Sequence, residues 1–150
     1  MRFIPLLTLA LAAAGCSREP SPPPDEAANK QMIWETIKAY HDAGDKGDVA
    51  KMVALLSPRV CLVKGHEATA RGVEEVEKEL THRVDTYKGQ ARSTLLGKES
   101  ITIIGDAAVI DYVASVGTQR GLITAVCQRT GGKWYIVHIH DTWTSPTPPK

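Results

Sequence analysis

The spacing of apolar residues predicts a helix at the start of the folded part of the chain. Ile33, Ile37 and Tyr40 recur at intervals of three and four residues, which places them on one face of a helix. Asp25 precedes this pattern and is suited to cap the helix N-terminus. The run GDKGD at residues 44–48 predicts the end of the helix.

Two further helices are predicted before residue 90. Asp48 is suited to cap a second helix, and Pro58 predicts its end. A third helix is predicted from Gly72. Its apolar stripe consists of Val73, Val76, Leu80, Val84 and Tyr87. Glu74 with Lys78 and Glu79 with Arg83 are four residues apart and are expected to form outward ion pairs.

The pattern changes to β-structure after the third predicted helix. Four β-rich runs fill residues 93–144, and before the third helix VCLV at residues 60–63 predicts one short buried strand. Tight turns are expected at residues 105–107 and 131–133, and residues 119–121 are expected to join the middle pair of strands. Helices followed by a meander predict an α+β domain with three N-terminal helices packed on a curved antiparallel sheet.

Side-chain alternation sorts the strand residues into two faces. The inner face is expected to hold Ile110, Tyr112, Ala114, Val116, Ile123, Ala125, Cys127, Tyr135, Val137, Ile139, Asp141 and Trp143. The opposite face of the last strand then holds Trp134, Ile136, His138, His140 and Thr142. The first set is almost wholly apolar and aromatic, so we expect it to lie under the helices.

The N-terminus has the pattern of an export signal. Arg2 is followed by an uncharged apolar run over residues 3–14, which is too short to span a bilayer. The small residues before Cys16 resemble the lipobox of bacterial lipoproteins, which implies lipid attachment at Cys16 and a place in the cell envelope, facing the periplasm or the exterior. An ordinary secreted protein is the alternative.

These features divide the chain into four parts. Residues 1–15 are the expected signal peptide, and residues 16–25 form a proline-rich tether. Residues 26–144 are the expected domain, and residues 145–150 form a second proline-rich segment.

Several phrases of the sequence resemble one superfamily. They are AYHDAGDKGDVAKMVALLSP, RGVEEV, GDAAVIDY and GGKWYIVHIH, in that order. Together they resemble the nuclear transport factor 2-like superfamily, which includes SnoaL-like cyclases. The last phrase is similar to the association domain of calcium/calmodulin-dependent protein kinase II. The resemblance implies a cone-shaped domain with a pocket between helices and sheet, and commonly a homodimer. It implies no particular reaction, because this fold carries enzymes, binding modules and assembly modules.

Asp141 is the candidate catalytic residue, because it is the only charged side chain on the expected inner face of the last strand. A carboxylate there can act as a general base or hold a polar ligand. Tyr40, His41 and Tyr112 can donate hydrogen bonds to a developing oxyanion. The alternatives are that Asp141 bonds a nearby backbone amide and that the tyrosines are core residues. Ala114, Ala125 and Tyr135 complete the expected pocket wall.

The kinase association domain has arginines where this chain, by our alignment, has Ala114, Ala125 and Asp141. A ligand that is neutral, apolar or weakly cationic is therefore expected in place of a carboxylate.

His138 and His140 fall on the outer face, and no further ligands cluster with them in the sequence. A metal site needs three or four converging ligands, so we expect no metal at this pair, and we expect no cofactor. The same outer face is the expected homodimer interface.

Cys61 and Cys127 lie in apolar strands that the resemblance does not place side by side, so free buried thiols are expected over a disulfide.

Charge excludes one class of partner. The chain has 18 Lys and Arg against 17 Asp and Glu without a block of one sign, so nucleic acid is not expected. A lipid anchor is the only membrane contact expected.

The sequence favours a protein that binds a small, mostly apolar molecule. An isomerase, dehydratase or cyclase that uses Asp141, and a module for dimerisation or assembly, are the alternatives.

Overall fold

The computed structural model describes residues 25–65, 67–86, 93–97, 99–116 and 119–144. The expected signal peptide, Cys16, most of the tether, Tyr87 and the second proline-rich segment lie outside these residues.

Three helices form where the apolar spacing predicts them. They are α1 (Glu26–Asp45), α2 (Val49–Ala54) and α3 (Val73–Thr86). Asp25 caps α1 through a 3.0 Å hydrogen bond from the Ala27 amide, and Asp48 caps α2 through a 3.1 Å bond from the Lys51 amide. Both carboxylates satisfy amides that have no partner within the helix and favour its positive end.

Seven strands are described, and they form one sheet. Their bounds are β1 (Leu56–Lys64), β2 (Glu67–Arg71), β3 (Ser93–Leu95), β4 (Ser100–Ile104), β5 (Ala107–Val116), β6 (Gln119–Thr130) and β7 (Lys133–Thr144). The order is β2-β1-β7-β6-β5-β3, with β4 also paired to β5. All pairs are antiparallel except β1 with β7, which are parallel. The predicted α+β fold is confirmed, and the parallel pair, which joins strands distant in sequence, is a feature the meander did not predict.

The core lies between the helices and the concave face of the sheet. Ile33 and Ile37 of α1 are fully buried, as are Ile110 of β5 and Ala125 of β6. Val76 and Leu80 of α3 join the same cluster. The apolar stripes and the inner faces of the two middle strands therefore meet as the alternation predicts.

The predicted assignment of β7 side chains to the two faces of the sheet is correct only from His138 to the end of the strand. Ile136 pairs with Cys127 and His138 with Val126, so one residue, Val137, is inserted between consecutive pairs. Such a β-bulge reverses the facing of every residue on one side of it. Trp134 and Ile136 are buried in the core, contrary to expectation, while Ile139 and Asp141 are buried as expected.

The turns follow the glycines at two of three predicted places. β4 and β5 are joined through Gly105, and β6 and β7 through Gly131 and Gly132, all with positive φ. Two consecutive residues in that conformation make the tight turn that suits a twisted hairpin. The turn predicted at residues 119–121 is wrong, because these residues belong to β6, and β5 ends earlier, at Val116.

Candidate functional site

A cavity of about 920 Å³ lies between the three helices and the concave face of the sheet. Somewhat more than half of its wall is apolar, with Met52 of α2, Leu62 of β1, Leu80 of α3 and Ile139 of β7 among the lining residues. A mostly apolar cavity with a few polar groups is the usual form of a small-molecule site. Two clusters of polar groups lie at the wall, and Lys46, Thr81 and Asp85 also line it.

The first polar cluster is an ion pair between α3 and β7. Arg83 Nη1 donates to Asp141 Oδ2 at 3.1 Å, and Arg83 Nε donates to Glu79 Oε1 at 2.8 Å. Asp141 is only 5% exposed, and both Arg83 and Asp141 line the cavity. The Glu79–Arg83 pair is thus not an outward surface pair, because Arg83 also reaches into the cavity.

This ion pair is incomplete. Arg83 Nη2 and Asp141 Oδ1 are both buried, and neither has a hydrogen-bond partner in the part of the chain that the structure describes. A guanidinium and a carboxylate can form two parallel bonds, and here only one is formed. One donor and one acceptor therefore remain unused beside the cavity.

Tyr40 of α1 lies close to this pair. Burial raises the pKa of its phenol, the nearby Arg83 charge acts to lower it, and the Asp141 charge acts to raise it. Among the described residues, none forms a hydrogen bond with the Tyr40 hydroxyl. The neutral hydroxyl is a further donor available to a molecule in the cavity.

The second polar cluster is a chain of hydrogen bonds that starts at Tyr112 of β5. The Tyr112 hydroxyl lies 2.9 Å from His41 Nε2, and His41 Nδ1 lies 3.3 Å from Ser93 Oγ. Ser93 Oγ donates to Asp45 Oδ1 at 2.9 Å, and the Ser93 amide donates to the same oxygen at 2.8 Å. These bonds tie α1 to β3 and β5.

The direction of this chain follows from its acidic end. Ser93 gives its proton to Asp45, so Ser93 Oγ accepts from His41 Nδ1. Burial lowers the pKa of His41 to about 4, against the opposing effect of the Asp45 and Asp42 charges, so the ring is neutral at pH 7. Nε2 is then the acceptor, and Tyr112 donates to it.

This direction changes the expected role of Tyr112. Burial raises its pKa, so the phenol keeps its proton, and His41 accepts that proton in a hydrogen bond. Tyr112 therefore presents acceptor lone pairs, and the oxyanion donor predicted from the sequence is already engaged.

Trp143 closes another part of the cavity wall by packing on a glycine. Trp143 of β7 pairs directly with Gly121 of β6. A Cβ atom at Gly121 would lie 2.9 Å from two ring atoms of Trp143. Only glycine permits this close approach, so Gly121 holds the indole against the sheet.

The structure brings together four of the seven predicted pocket residues. Tyr40, His41, Tyr112 and Asp141 all line the cavity. Ala114 and Ala125 are fully buried on the concave face but do not line the cavity. Tyr135 was predicted wrongly, since the bulge turns it to the outer face, where it lines a separate pocket of about 640 Å³ with Leu56 and Pro58.

Sequence reasoning missed Arg83, Asp45 and Ser93. Arg83 had a usable signal, because it follows Val76 by seven residues and Leu80 by three, and so lies at the edge of the buried stripe of α3. Asp45 and Ser93 are 48 residues apart, and nothing in their local sequence joins them.

The two histidines of β7 lie on the outer face of the sheet. His140 Nε2 is 2.9 Å from the Gly65 carbonyl oxygen, and burial lowers the pKa of His138, as does the nearby His140. Within the described ranges, no group of three or more His, Cys, Asp or Glu side chains is arranged to hold a metal ion.

Both described cysteines are free thiols. Cys127 is buried, which raises its pKa to about 12, while Cys61 is half-buried. None of the described helices combines the length and the hydropathy that a membrane span requires.

Three helices on a curved sheet, with a cavity between the two layers, define a domain of the nuclear transport factor 2-like class. Residues 33–144 match the family model of the SnoaL-like domain. The chain belongs to this SnoaL-like family.

Solved structures share this fold at low sequence identity. A protein of unknown function with a cystatin-like fold from Nostoc punctiforme is 20% identical, with a TM-score of 0.73 over 81% of this chain and 96% of that chain. A proposed dehydratase of the NTF2-like family from Streptomyces avermitilis is 16% identical, with a TM-score of 0.70 over 81% and 99%. A proposed ketosteroid isomerase from Shewanella frigidimarina is 21% identical, with a TM-score of 0.62 over 72% and 92%. Among curated proteins, none has significant sequence similarity to this chain.

Proposed function

We propose that this protein binds a small, mostly apolar and uncharged molecule in the cavity between helices and sheet. The observation that carries the proposal is a cavity of about 920 Å³ whose apolar wall contains a buried, incompletely bonded ion pair. Apolar walls supply most of the binding free energy of such a ligand, and a few fixed polar groups set its orientation.

The charges in the cavity support an uncharged ligand. Arg83 and Asp141 neutralise each other, and the other charged residues of the lining are Lys46, Asp45 and Asp85, so the wall has no excess of positive charge that would attract an anion. An added anion would approach Asp141, and an added cation would approach Arg83. Either ion would lose its hydration on entering the cavity, and the electrostatic attraction there would not compensate for that loss.

The test is binding of 2-acetylnaphthalene, a neutral and mostly apolar probe, followed by calorimetry. Val116→Phe fills the cavity from β5 and should abolish binding, whereas Val109→Phe on the outer face of the same strand should leave binding unchanged. Binding that survives Val116→Phe, or no binding by the wild type, would contradict the proposal.

A catalytic function is the alternative that one observation favours. Asp141 Oδ1 is buried and has no partner in the described chain, so it is free to accept a proton. The proposed isomerase and dehydratase among the structural neighbours carry similar folds. An enzyme of the isomerase, dehydratase or cyclase type should accelerate exchange of the acetyl protons of the probe in D₂O. Asp141→Asn should abolish this acceleration, and no acceleration by the wild type would argue against Asp141 as a base.

We also propose that the domain is held at the cell envelope by a lipid on Cys16. The small residues that precede Cys16 in the sequence support this. Mass spectrometry of the membrane fraction should find acylated Cys16 at a new N-terminus. A soluble, unmodified protein would contradict the anchor, and Cys16→Ser should release the protein if it is correct.

A homodimer through the outer face of the sheet is a separate proposal. Leu122 on the central strand β6 is 60% exposed on that face, where it pairs with Val113 of β5 and Thr142 of β7. Leu122→Lys should convert a dimer into monomers in sedimentation experiments. A wild type that sediments as a monomer would contradict the interface.

A further inference from the structure

We infer that the ligand carries a neutral polar group with a hydrogen-bond acceptor and a donor side by side, as in a carboxamide, and that Arg83 and Asp141 bind this group together. The inference rests on the proposed binding function and specifies the chemistry of the ligand at that site.

The unused hydrogen-bonding atoms of the ion pair define what the ligand must supply. Arg83 uses Nε on Glu79 and Nη1 on Asp141, which leaves Nη2 as a donor. Asp141 uses Oδ2, which leaves Oδ1 as an acceptor. A buried donor and a buried acceptor without partners cost free energy, so a group that bonds both is favoured there.

The geometry of the two residues requires two separate ligand atoms. Nη2 and Oδ1 are different atoms on two residues that are joined through Nη1 and Oδ2 at 3.1 Å, so one ion pair holds both the unpaired donor and the unpaired acceptor. A carboxamide places its oxygen and its nitrogen on one carbon and can address both. A ketone supplies only the acceptor and leaves Oδ1 without a partner.

The local charges select against an anion, and the unpaired donor on Arg83 selects against a cation, which cannot accept a hydrogen bond. The cluster holds one positive residue, Arg83, between two negative residues, Asp141 and Glu79. A carboxylate would satisfy Nη2 but would set a second negative charge against Asp141 Oδ1. An ammonium group would satisfy Oδ1 but would face the guanidinium. A neutral group avoids both repulsions.

The test compares four naphthalene probes that differ only in the polar group, by calorimetry on the purified full-length chain. The probes are naphthalene-2-carboxamide, 2-acetylnaphthalene, naphthalene-2-carboxylate and 2-naphthylmethylammonium. We expect the carboxamide to bind at least about tenfold more tightly than each of the others, since each leaves at least one buried group unpaired. Equal affinity for the carboxamide and the ketone would overturn the inference, although the proposed binding function would stand.

Two variants should redirect this preference in opposite ways. Asp141→Asn leaves the Arg83 charge without its carboxylate partner on β7, so the preferred probe should become the carboxylate. Arg83→Met leaves Asp141 without a counter-charge, so the preferred probe should become the ammonium. A carboxamide preference that persists in Asp141→Asn would overturn the inference even if Arg83→Met fails to fold. If none of the four probes binds to the wild type, the proposed function itself is overturned.

Discussion

Arg83 of α3 and Asp141 of β7 are 58 residues apart in sequence, and their side chains are joined by a 3.1 Å ion pair at the wall of the cavity. The pair links the third helix to the last strand. It also brings a positive charge to the cavity wall, although Ala114, Ala125 and Asp141 stand where the kinase association domain has arginines.

Loss of Arg83 alone should destabilise the protein more than loss of Arg83 and Asp141 together. Arg83→Met leaves the buried Asp141 carboxylate without a counter-charge, at a cost of about 2 kcal/mol in the free energy of unfolding, reduced from the fully buried case because Arg83 is partly exposed. The double variant Arg83→Met/Asp141→Leu should be closer to wild type in urea denaturation. Glu79→Gln, which removes a more exposed partner, should cost less than about 1 kcal/mol. Strictly additive single and double variants would show that the two residues are not coupled.

The buried His41 should make stability fall in mildly acidic solution. Its folded pKa of about 4 lies below the ordinary value of 6.5, so between these values the unfolded chain binds a proton that the folded protein does not. The resulting stabilisation is complete above pH 6.5 and is lost as the pH falls toward 4, by about 3 kcal/mol at most. Urea denaturation at pH 7 and pH 5 should show this loss in the wild type and a smaller one in His41→Gln. His82→Gln, at an exposed position on α3, should retain the wild-type slope.

Removal of the Tyr112 hydroxyl should leave His41 Nε2 without its donor. Tyr112→Phe is expected to lower the free energy of unfolding by about 1 to 2 kcal/mol, since a buried acceptor loses its partner. Tyr135→Phe on the outer face is the matched control and should have a smaller effect. Nitrogen NMR of the wild type should find the proton of the neutral His41 ring on Nδ1. A proton on Nε2 would contradict the assigned direction of the chain from Tyr112 to Asp45.

A methyl group at Gly121 should displace the Trp143 indole. Gly121→Ala places Cβ 2.9 Å from the ring and should destabilise the protein by about 1 to 3 kcal/mol while it shifts the tryptophan emission. In a Trp143→Leu background, the same substitution should cost less, because the more flexible leucine can move aside. An equal cost in both backgrounds would mean that strain elsewhere, and not the ring contact, is responsible.

Deletion of Val137 should be far more harmful than its substitution. Without the inserted residue, the buried pair Trp134 and Ile136 and the buried pair Ile139 and Asp141 cannot all face the core. The shortened chain should not give a cooperative unfolding transition. Val137→Thr keeps the register and should fold with a loss of about 1 kcal/mol. A deletion variant with near-wild-type stability would show that the bulge is dispensable.

Short-range patterns were sufficient to predict the helices and most strands. Asp25 and Asp48 cap the helices that follow them, and the inner faces of β5 and β6 are buried as alternation requires. These features depend on periodicities of a few residues, which are read directly from the chain. The class of fold followed from the order of these elements.

The site was predicted only in part, because its contacts join distant residues. Asp141, Tyr40, His41 and Tyr112 were found because each is a polar side chain in an apolar pattern. The failure at Tyr135 has a different cause, since alternation assumes a regular strand and cannot show where a residue is inserted.

The sequence by itself determined the helices, the alternation of the middle strands and the presence of a carboxylate on the inner face of β7. Only the tertiary structure decided that Arg83 meets that carboxylate, that Asp45 and Ser93 orient His41, and that the bulge at Val137 turns half of β7 over. The physical reason is that hydrogen bonds and ion pairs act over a few ångströms in space, and the packing of α1 and α3 on the sheet sets which distant residues come within that range.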